Sequence, residues 1–152
     1  GEDVFYSGTV SAAVEGAMQG SPAIAASLVT REPTDFAEPA RFVRLLAEQA
    51  IRRGFGGKRV LNVNIPFLPW AEVKGVRLTR LGTRVYSDTL IRKEDPRGRP
   101  YYWIGGQDPV WGAHEGTDFH AVHSGHVSIT PLALDLTDFR TLVDMESWDL
   151  NP

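Results

Sequence analysis

The first third of the chain alternates between helical and strand periodicity. Apolar residues recur at helical spacing over residues 9–19, namely at Val10, Ala13, Val14, Ala17 and Met18. This spacing predicts a helix with one apolar face, and the following Gly20-Ser21-Pro22 predicts its end. The next segment, AIAASLV, is mostly apolar, which is typical of a short strand buried on both faces.

The same order of elements then repeats. Residues 34–53 predict the clearest helix, because Asp35 and Glu38 have the spacing of a capping box and Gly54 follows the last periodic residue. The segment RVLNVNIP predicts a second strand whose two sides carry Leu61, Val63 and Ile65 against Asn62 and Asn64. A repeated helix and strand order predicts an α/β layered fold with a largely parallel sheet.

A long hairpin is predicted next. Residues 83–93 and 99–105 are rich in strand-forming residues and flank Asp95-Pro96-Arg97-Gly98, a sequence typical of a β-turn. An isolated two-stranded hairpin is only marginally stable, so we expect this one to pack against another subunit. The strand HVSITPL and a final helix over residues 137–148, opened by Thr137 or Asp138, complete the pattern.

Composition excludes several classes of protein. The 152 residues suffice for one domain, and 42% hydrophobic with 23% charged residues is typical of a globular protein. The net charge of −3 argues against a whole surface built for nucleic acid or an anionic membrane. The lack of cysteine excludes disulfides and thiol nucleophiles, and is compatible with the cytoplasmic location that we expect. The longest mainly apolar stretch, residues 22–29, is too short to cross a bilayer.

The predicted hairpin region is basic. Residues 74–99 contain eight Lys or Arg and three acidic residues. We favour a solvated arm whose charges oppose edge-to-edge aggregation over a surface for a polyanion. The aromatic and basic interleaving of nucleic-acid platforms is not evident in the sequence, so we expect no specific nucleic-acid partner.

The triplet Ser7-Gly8-Thr9 stands at the start of the first predicted helix. A Ser or Thr there commonly caps the helix. The free N–H groups and partial positive charge of a helix start can also bind an anion, and a glycine lets the ligand approach the backbone closely. Both interpretations remain open on this triplet alone.

Histidines form the second candidate site. His120, His123 and His126 are spaced by three, with His114 and Asp118 nearby. Gly125 interrupts this run before a predicted strand, so we expect the three imidazoles to diverge rather than to bind a metal together. Their role is left open, as is that of His114.

Four segments resemble the SurE family of survival-protein nucleotidases. They are GEDVFYSGTVSAAVEGAM, VLNVNIP, YYWIGG and EGTDFHAVHSGHVSITPL, the last followed by LDLTD, and they extend in order over nearly the whole chain. The most specific parts are YSGTV at residues 6–10 and Gly116-Thr117-Asp118.

The resemblance implies a Rossmann-like three-layer α/β core, present here in part, with a long β-hairpin arm and an exchanged carboxy-terminal helix. It assigns residues 1–72 to the core, 73–110 to an oligomerisation arm, and 111–152 to the return to the core and the terminal helix. All would belong to one domain of a longer protein. A homodimer or homotetramer through the hairpin and terminal helix is implied, and no membrane partner.

The activity implied by the resemblance is metal-dependent hydrolysis of nucleoside 5′- and 3′-monophosphates, and in some members of short polyphosphate. Family members hold a divalent ion, Mg²⁺ or Mn²⁺, through two adjacent aspartates, a serine and an asparagine that would all precede Gly1. We therefore expect neither metal ligands nor a catalytic residue here, and expect these 152 residues alone to be inactive. The part that matches is the phosphate side of the site, Ser7, Gly8 and Thr9. The alternative is a non-catalytic assembly module with a vestigial phosphate site.

Overall fold

The computed structural model describes residues 1–30, 32, 35–85, 90–104, 110–111 and 114–150. Its helices and strands are, in chain order, α1 Gly8–Met18, β1 Ala23–Val29, α2 Ala37–Arg52, β2 Arg59–Pro66, β3 Val76–Leu78, β4 Arg84–Val85, β5 Leu90–Glu94, β6 Pro100–Ile104, β7 Val110–Trp111, α3 Asp118–His123, β8 Val127–Ala133 and α4 Phe139–Met145. Short 3₁₀ helices also form at Glu2–Tyr6 and Trp70–Glu72.

The central sheet has the strand order β1-β2-β8-β3, with β1 at one edge. β1 and β2 are parallel, as are β3 and β8, whereas β2 and β8 are antiparallel. The helix α2 provides the crossover that two parallel neighbours need. By contrast, β8 is entered through the short turn after α3, close to the carboxyl end of β2, and therefore runs back along it. The expected parallel pairing is confirmed for two of the three strand pairs of this sheet, but the sheet is mixed because β8 runs antiparallel to β2.

Helices cover both faces of this sheet. In β1, Ala23 and Ala25 pack with Val10 and Ala17 of α1, so that small side chains let this helix approach closely. The alternate residues of β1 pack on the opposite face with Phe42, Val43 and Leu46 of α2. The three-layer core is thereby confirmed.

The face of the sheet that carries α1 is polar towards β8. Asn62 is buried there, as the predicted alternation of β2 requires, together with Ser128 and Thr130. The hydroxyl of Thr79 forms hydrogen bonds with both of the last two, at 2.8 Å to Ser128 and 2.7 Å to Thr130. These bonds satisfy polar groups that would otherwise be buried at a cost in stability.

The hairpin prediction agrees with the described part of the arm. β5 and β6 pair antiparallel from Leu90↔Ile104 to Glu94↔Pro100, and the carboxylate of Asp95 accepts backbone N–H groups of Arg97 and Arg99 across the turn. β4 also pairs antiparallel with β7, which lies beyond residue 105, the predicted end of the second strand. Residues 86–89 and 105–109 lie outside the described residues.

Some helix boundaries differ from the predictions. α2 begins at Ala37, and the expected capping box is wrong. Asp35 accepts the N–H of Ala37 at 2.9 Å, while Glu38 forms an ion pair with Arg41 at 2.9 Å instead of turning back to the helix start. α4 is shorter than predicted, and the expected cap at Asp138 is confirmed because its carboxylate accepts two backbone N–H groups of the first turn.

Candidate functional site

Ser7 caps α1. A 3₁₀ helix, Glu2–Tyr6, leads into it, and Ser7 itself is extended, with φ −89° and ψ 116°. Its hydroxyl oxygen accepts the N–H of Val10 at 3.2 Å, and its carbonyl accepts the hydroxyl of Ser11 at 2.9 Å. The capping interpretation of the triplet is therefore confirmed.

The same helix start is open to an anion. Gly8 and Thr9 are exposed, and by helix geometry their N–H groups have no acceptor within α1. A Cβ added at Gly8 would meet no heavy atom within 4 Å. The fold thus leaves room for a side chain at position 8, and the glycine keeps the backbone accessible from outside.

The position of the triplet relative to the sheet is typical of a ligand site. The short turn at residues 19–22 joins α1 to β1, so α1 runs antiparallel to this strand and its first residues lie at the carboxyl end of β1 and β2. Ligands of open α/β sheets bind at this edge. A small cavity of about 120 Å³, lined by Gly1, Val29, Asn64 and His123 among others, opens there too.

Asp118 holds together the segments around this edge. Its side chain is almost fully buried, with 1% of the residue exposed. One carboxylate oxygen accepts hydrogen bonds from the backbone N–H groups of Gly82, at 2.9 Å, and Phe119. The other oxygen accepts a hydrogen bond from the backbone nitrogen of Gly1. The backbone N–H of Glu2 also donates to the carbonyl of Gly82, at 3.1 Å. Asp118 thereby fixes the chain just ahead of Ser7.

Gly82 is required by this packing. A Cβ at this position would lie 2.6 Å from a ring carbon of Phe119 and 3.2 Å from the carboxylate of Asp118. The chain can approach Asp118 closely enough for the hydrogen bond only because residue 82 has no side chain.

The histidines are divided between two elements. His120 and His123 lie on α3, and His126 follows the turn at Gly125, just before β8 begins. The ring of His123 forms a hydrogen bond with the carbonyl of Phe119 at 3.1 Å, and Nδ1 of His126 is buried without a partner. Within the described ranges, no three side chains of the metal-binding types converge on one point.

The hydrogen bonds of Asp118 could not be predicted from the sequence. The residues around Asp118 encode the N-cap of α3, in which the hydroxyl oxygen of Thr117 accepts the N–H of His120 at 3.3 Å. They do not indicate the partners of Asp118. The acceptor role of Asp118 depends on Gly1 and Gly82, which are 117 and 36 residues away in sequence. Hydrophobic periodicity within one helix or strand cannot indicate a contact between residues so far apart in the sequence.

Comparison with known proteins identifies the family. The family model described as survival protein SurE matches residues 1–88. The chain belongs to the SurE family. A 5′-nucleotidase SurE from Geobacter sulfurreducens is 49% identical over 152 residues, which cover 99% of this chain. A second, from Alkalilimnicola ehrlichii, is 47% identical over 148 residues, or 97% of this chain.

A solved SurE structure has the same fold. The SurE protein from Aquifex aeolicus superposes with a TM-score of 0.84 at 43% identity, over 96% of this chain and 59% of that one. The predicted family and the Rossmann-like α/β class are thus confirmed. The chain spans 58% of the length of the two SurE relatives named above. None of the helices in the described residues has the length and apolar character needed to cross a membrane.

Proposed function

We propose that this protein is a phosphoric monoester hydrolase that converts nucleoside 5′-monophosphates to nucleoside and phosphate. Its SurE relatives are named 5′-nucleotidases, which supports this activity. The observation that carries the proposal is the exposed helix start at Ser7, Gly8 and Thr9, at the carboxyl edge of the sheet, where open α/β sheets generally bind ligands. Hydrolysis of 3′-monophosphates and of short polyphosphate belongs to the same proposal.

The triplet binds the phosphoryl group in this proposal. The hydroxyl of Ser7 uses an oxygen lone pair for Val10 and keeps its proton for a phosphate oxygen. The N–H groups of Gly8 and Thr9 donate to further oxygens, and the helix dipole favours their negative charge. Donors fixed in advance stabilise the charge that spreads over these oxygens in the transition state.

A divalent ion, Mg²⁺ or Mn²⁺, completes the proposal through the family resemblance. The residues described here do not fit it, since no group of three ligand-type side chains comes together in them. Following the resemblance, we assign the ligands to residues that precede Gly1, and derive no step through the ion from this chain. Residues 1–152 alone are accordingly proposed to be inactive, and the protein to act in the cytoplasm.

Two substitutions test the phosphate site, in the protein at the length of its relatives and with Mn²⁺. Ser7→Ala removes one donor to the oxyanion, and we expect kcat/KM for a nucleoside 5′-monophosphate to fall about 10²-fold. Gly8→Ala adds a methyl group that clashes with no protein atom but obstructs the phosphate. We expect Gly8→Ala to lower phosphate affinity with no loss of stability.

The matched control is Gly16→Ala, on the same helix and equally free of clashes. It should leave hydrolysis unchanged. Equal kinetics for Gly8→Ala and Gly16→Ala would refute the phosphate site. Absence of hydrolysis in the unsubstituted protein would favour the alternative, a non-catalytic assembly module with a vestigial phosphate site.

The arm at residues 73–110 and the terminal helix are proposed to assemble a homodimer or homotetramer. Apolar side chains of both are exposed, including Leu90 at 62% and Trp103 at 62% on the arm, and Phe139 at 63% and Leu142 at 55% on α4. Groups of large apolar side chains exposed to this extent are typical of surfaces that another subunit covers. The double variant Trp103→Lys, Leu142→Lys should lower the mass measured by light scattering. An unchanged mass would exclude this mode of assembly.

A further inference from the structure

A second cavity opens at the carboxyl edge of β1 and β2, on the face of the sheet that carries α2. Its volume is about 370 Å³, which is within the range of small-molecule sites. It is lined by Leu28 of β1, by Asp35 just before α2 and Glu38 in its first turn, and by Phe67 and Trp70 in the segment after β2. We call this the edge cavity. It combines exposed aromatic rings with carboxylates, a pairing that the packing of the core does not require.

The aromatic side of the edge cavity is held in place before any ligand binds. The ring of Trp70 packs on Phe42 of α2, with 5.9 Å between ring centroids and a tilt of 48°. The loop is fixed by the backbone bonds Leu68 N–H to the carbonyl of Pro66, at 3.0 Å, and Glu72 N–H to that of Pro69, at 2.8 Å. Phe67 nevertheless remains 49% exposed and Trp70 36% exposed.

The carboxylates give the cavity a chemical preference. Asp35 uses one oxygen for the N–H of Ala37, and Glu38 uses one for Arg41, at 2.9 Å each. Each carboxylate has further lone pairs, and an ionised carboxylate only accepts hydrogen bonds. The cavity therefore suits a flat ring whose edge carries adjacent N–H donors, and disfavours one whose edge carries carbonyl oxygens.

We propose that the edge cavity binds the base of the nucleotide, with guanine preferred and uracil disfavoured. The inference rests on the proposed function, because the base would belong to the nucleoside monophosphate whose phosphate binds at Ser7. Phe67 and Trp70 supply the stacking surface. Asp35 and Glu38 accept the N1–H and the amino group of guanine, whereas the two carbonyls beside N3–H of uracil face these carboxylates unfavourably. Both the cavity and the start of α1 lie at the carboxyl edge of β1 and β2.

Nucleosides without phosphate test this site independently of the metal and of Ser7. Guanosine and uridine are titrated by calorimetry, and guanosine should bind more tightly. Phe67→Ala should weaken guanosine binding about fivefold or more, since base stacking on an aromatic ring is lost. Phe67→Trp keeps a stacking surface and should retain the affinity. The matched control is Phe36→Ala, an exposed phenylalanine next to α2 that does not line the cavity.

The polar preference has its own test. In the double variant Asp35→Asn, Glu38→Gln, each amide keeps an acceptor and gains a donor, so the affinity ratio of guanosine to uridine should fall. Glu48→Gln, which breaks the comparable ion pair of α2 with Arg44, should leave the ratio unchanged. Equal binding of the two nucleosides, or guanosine binding unaffected by Phe67→Ala, would overturn the proposal.

Hydrolysis of guanosine 5′-monophosphate, measured beside guanosine binding, separates the two proposals. If the protein at the length of its relatives does not hydrolyse this nucleotide but guanosine binding still depends on Phe67, the hydrolase proposal fails and the edge cavity stands. If hydrolysis occurs but guanosine binding does not respond to Phe67→Ala, the edge cavity fails and the hydrolase proposal stands.

Discussion

Replacing Asp118 tests whether this carboxylate fixes the approach to α1. Asp118→Ala leaves the buried N–H of Gly82 without its acceptor, which costs about 1–3 kcal/mol of stability. It also removes a charge-assisted hydrogen bond from the nitrogen of Gly1, which contributes about 1.5–3 kcal/mol. We therefore expect the free energy of unfolding to fall by about 3–5 kcal/mol. Marginal stabilities of about 5–15 kcal/mol make this a large loss.

Asp118→Asn separates the two hydrogen bonds. The amide oxygen still accepts the N–H of Gly82, but the amide nitrogen now faces another donor at Gly1, so we expect a loss of only about 1–3 kcal/mol. Urea unfolding followed by circular dichroism measures both variants, and the midpoint of thermal unfolding should fall by about 10 °C for Asp118→Ala. The reasoning is refuted if Asp118→Ala costs less than about 1 kcal/mol, or if the Asn and Ala variants lose the same amount.

Three further outcomes follow from the structure. Gly82→Ala forces a methyl group to within 2.6 Å of the Phe119 ring and should lower the free energy of unfolding by about 1–3 kcal/mol, as judged by urea unfolding. Gly16→Ala, inside α1 and free of clashes, should raise it by up to about 1 kcal/mol in the same assay, and a loss would contradict the described packing. The hydrogen bonds from the hydroxyl and N–H of Thr141 lower the pKa of Asp138, so this carboxylate stabilises α4 above the unfolded pKa of about 3.9 and ceases to do so as pH falls through the lower folded value. The protection factors of amides 139–145, which compare exchange with that of an unstructured chain at the same pH, should therefore fall between pH 5 and pH 2 in the native protein and change little in Asp138→Asn.

Long periodic elements were predictable from the sequence. α1, β1 and β2 lie within one residue of their predicted bounds, because each buries a regular pattern of apolar side chains. The alternation of β2 also predicted which side carries its asparagines. The start of α2 was placed too early because Glu38 had a competing partner, Arg41, one turn ahead.

Elements that depend on distant contacts were missed. β3 has three residues and exists through its pairing with β8. α3 has six residues, and the N–H of Asp118 at its start donates to the carbonyl of Arg80 at 3.0 Å. Neither is long enough for a periodic signal, and the direction of β8 likewise follows from where α3 ends. The cap at Ser7 was predictable as a local motif, whereas the Asp118 contacts were not.

The chemistry of the arm also changes once its register is known. The sequence separates its basic residues from its aromatic ones, but antiparallel pairing sets Arg92 opposite Tyr102 and Lys93 opposite Tyr101. Successive pairs point to opposite faces of the hairpin, so each face carries one of these two pairs. The preference for a solvated or subunit-covered arm remains a prediction.

The edge position of β1 has a practical consequence for handling the protein. Within the described residues β1 pairs only with β2, and its sequence AIAASLV contains neither a charge nor a proline. An apolar strand edge of this kind accepts strands from other molecules. Preparations of residues 1–152 should thus lose material by strand addition as concentration rises, and a lysine introduced into β1 should reduce this loss.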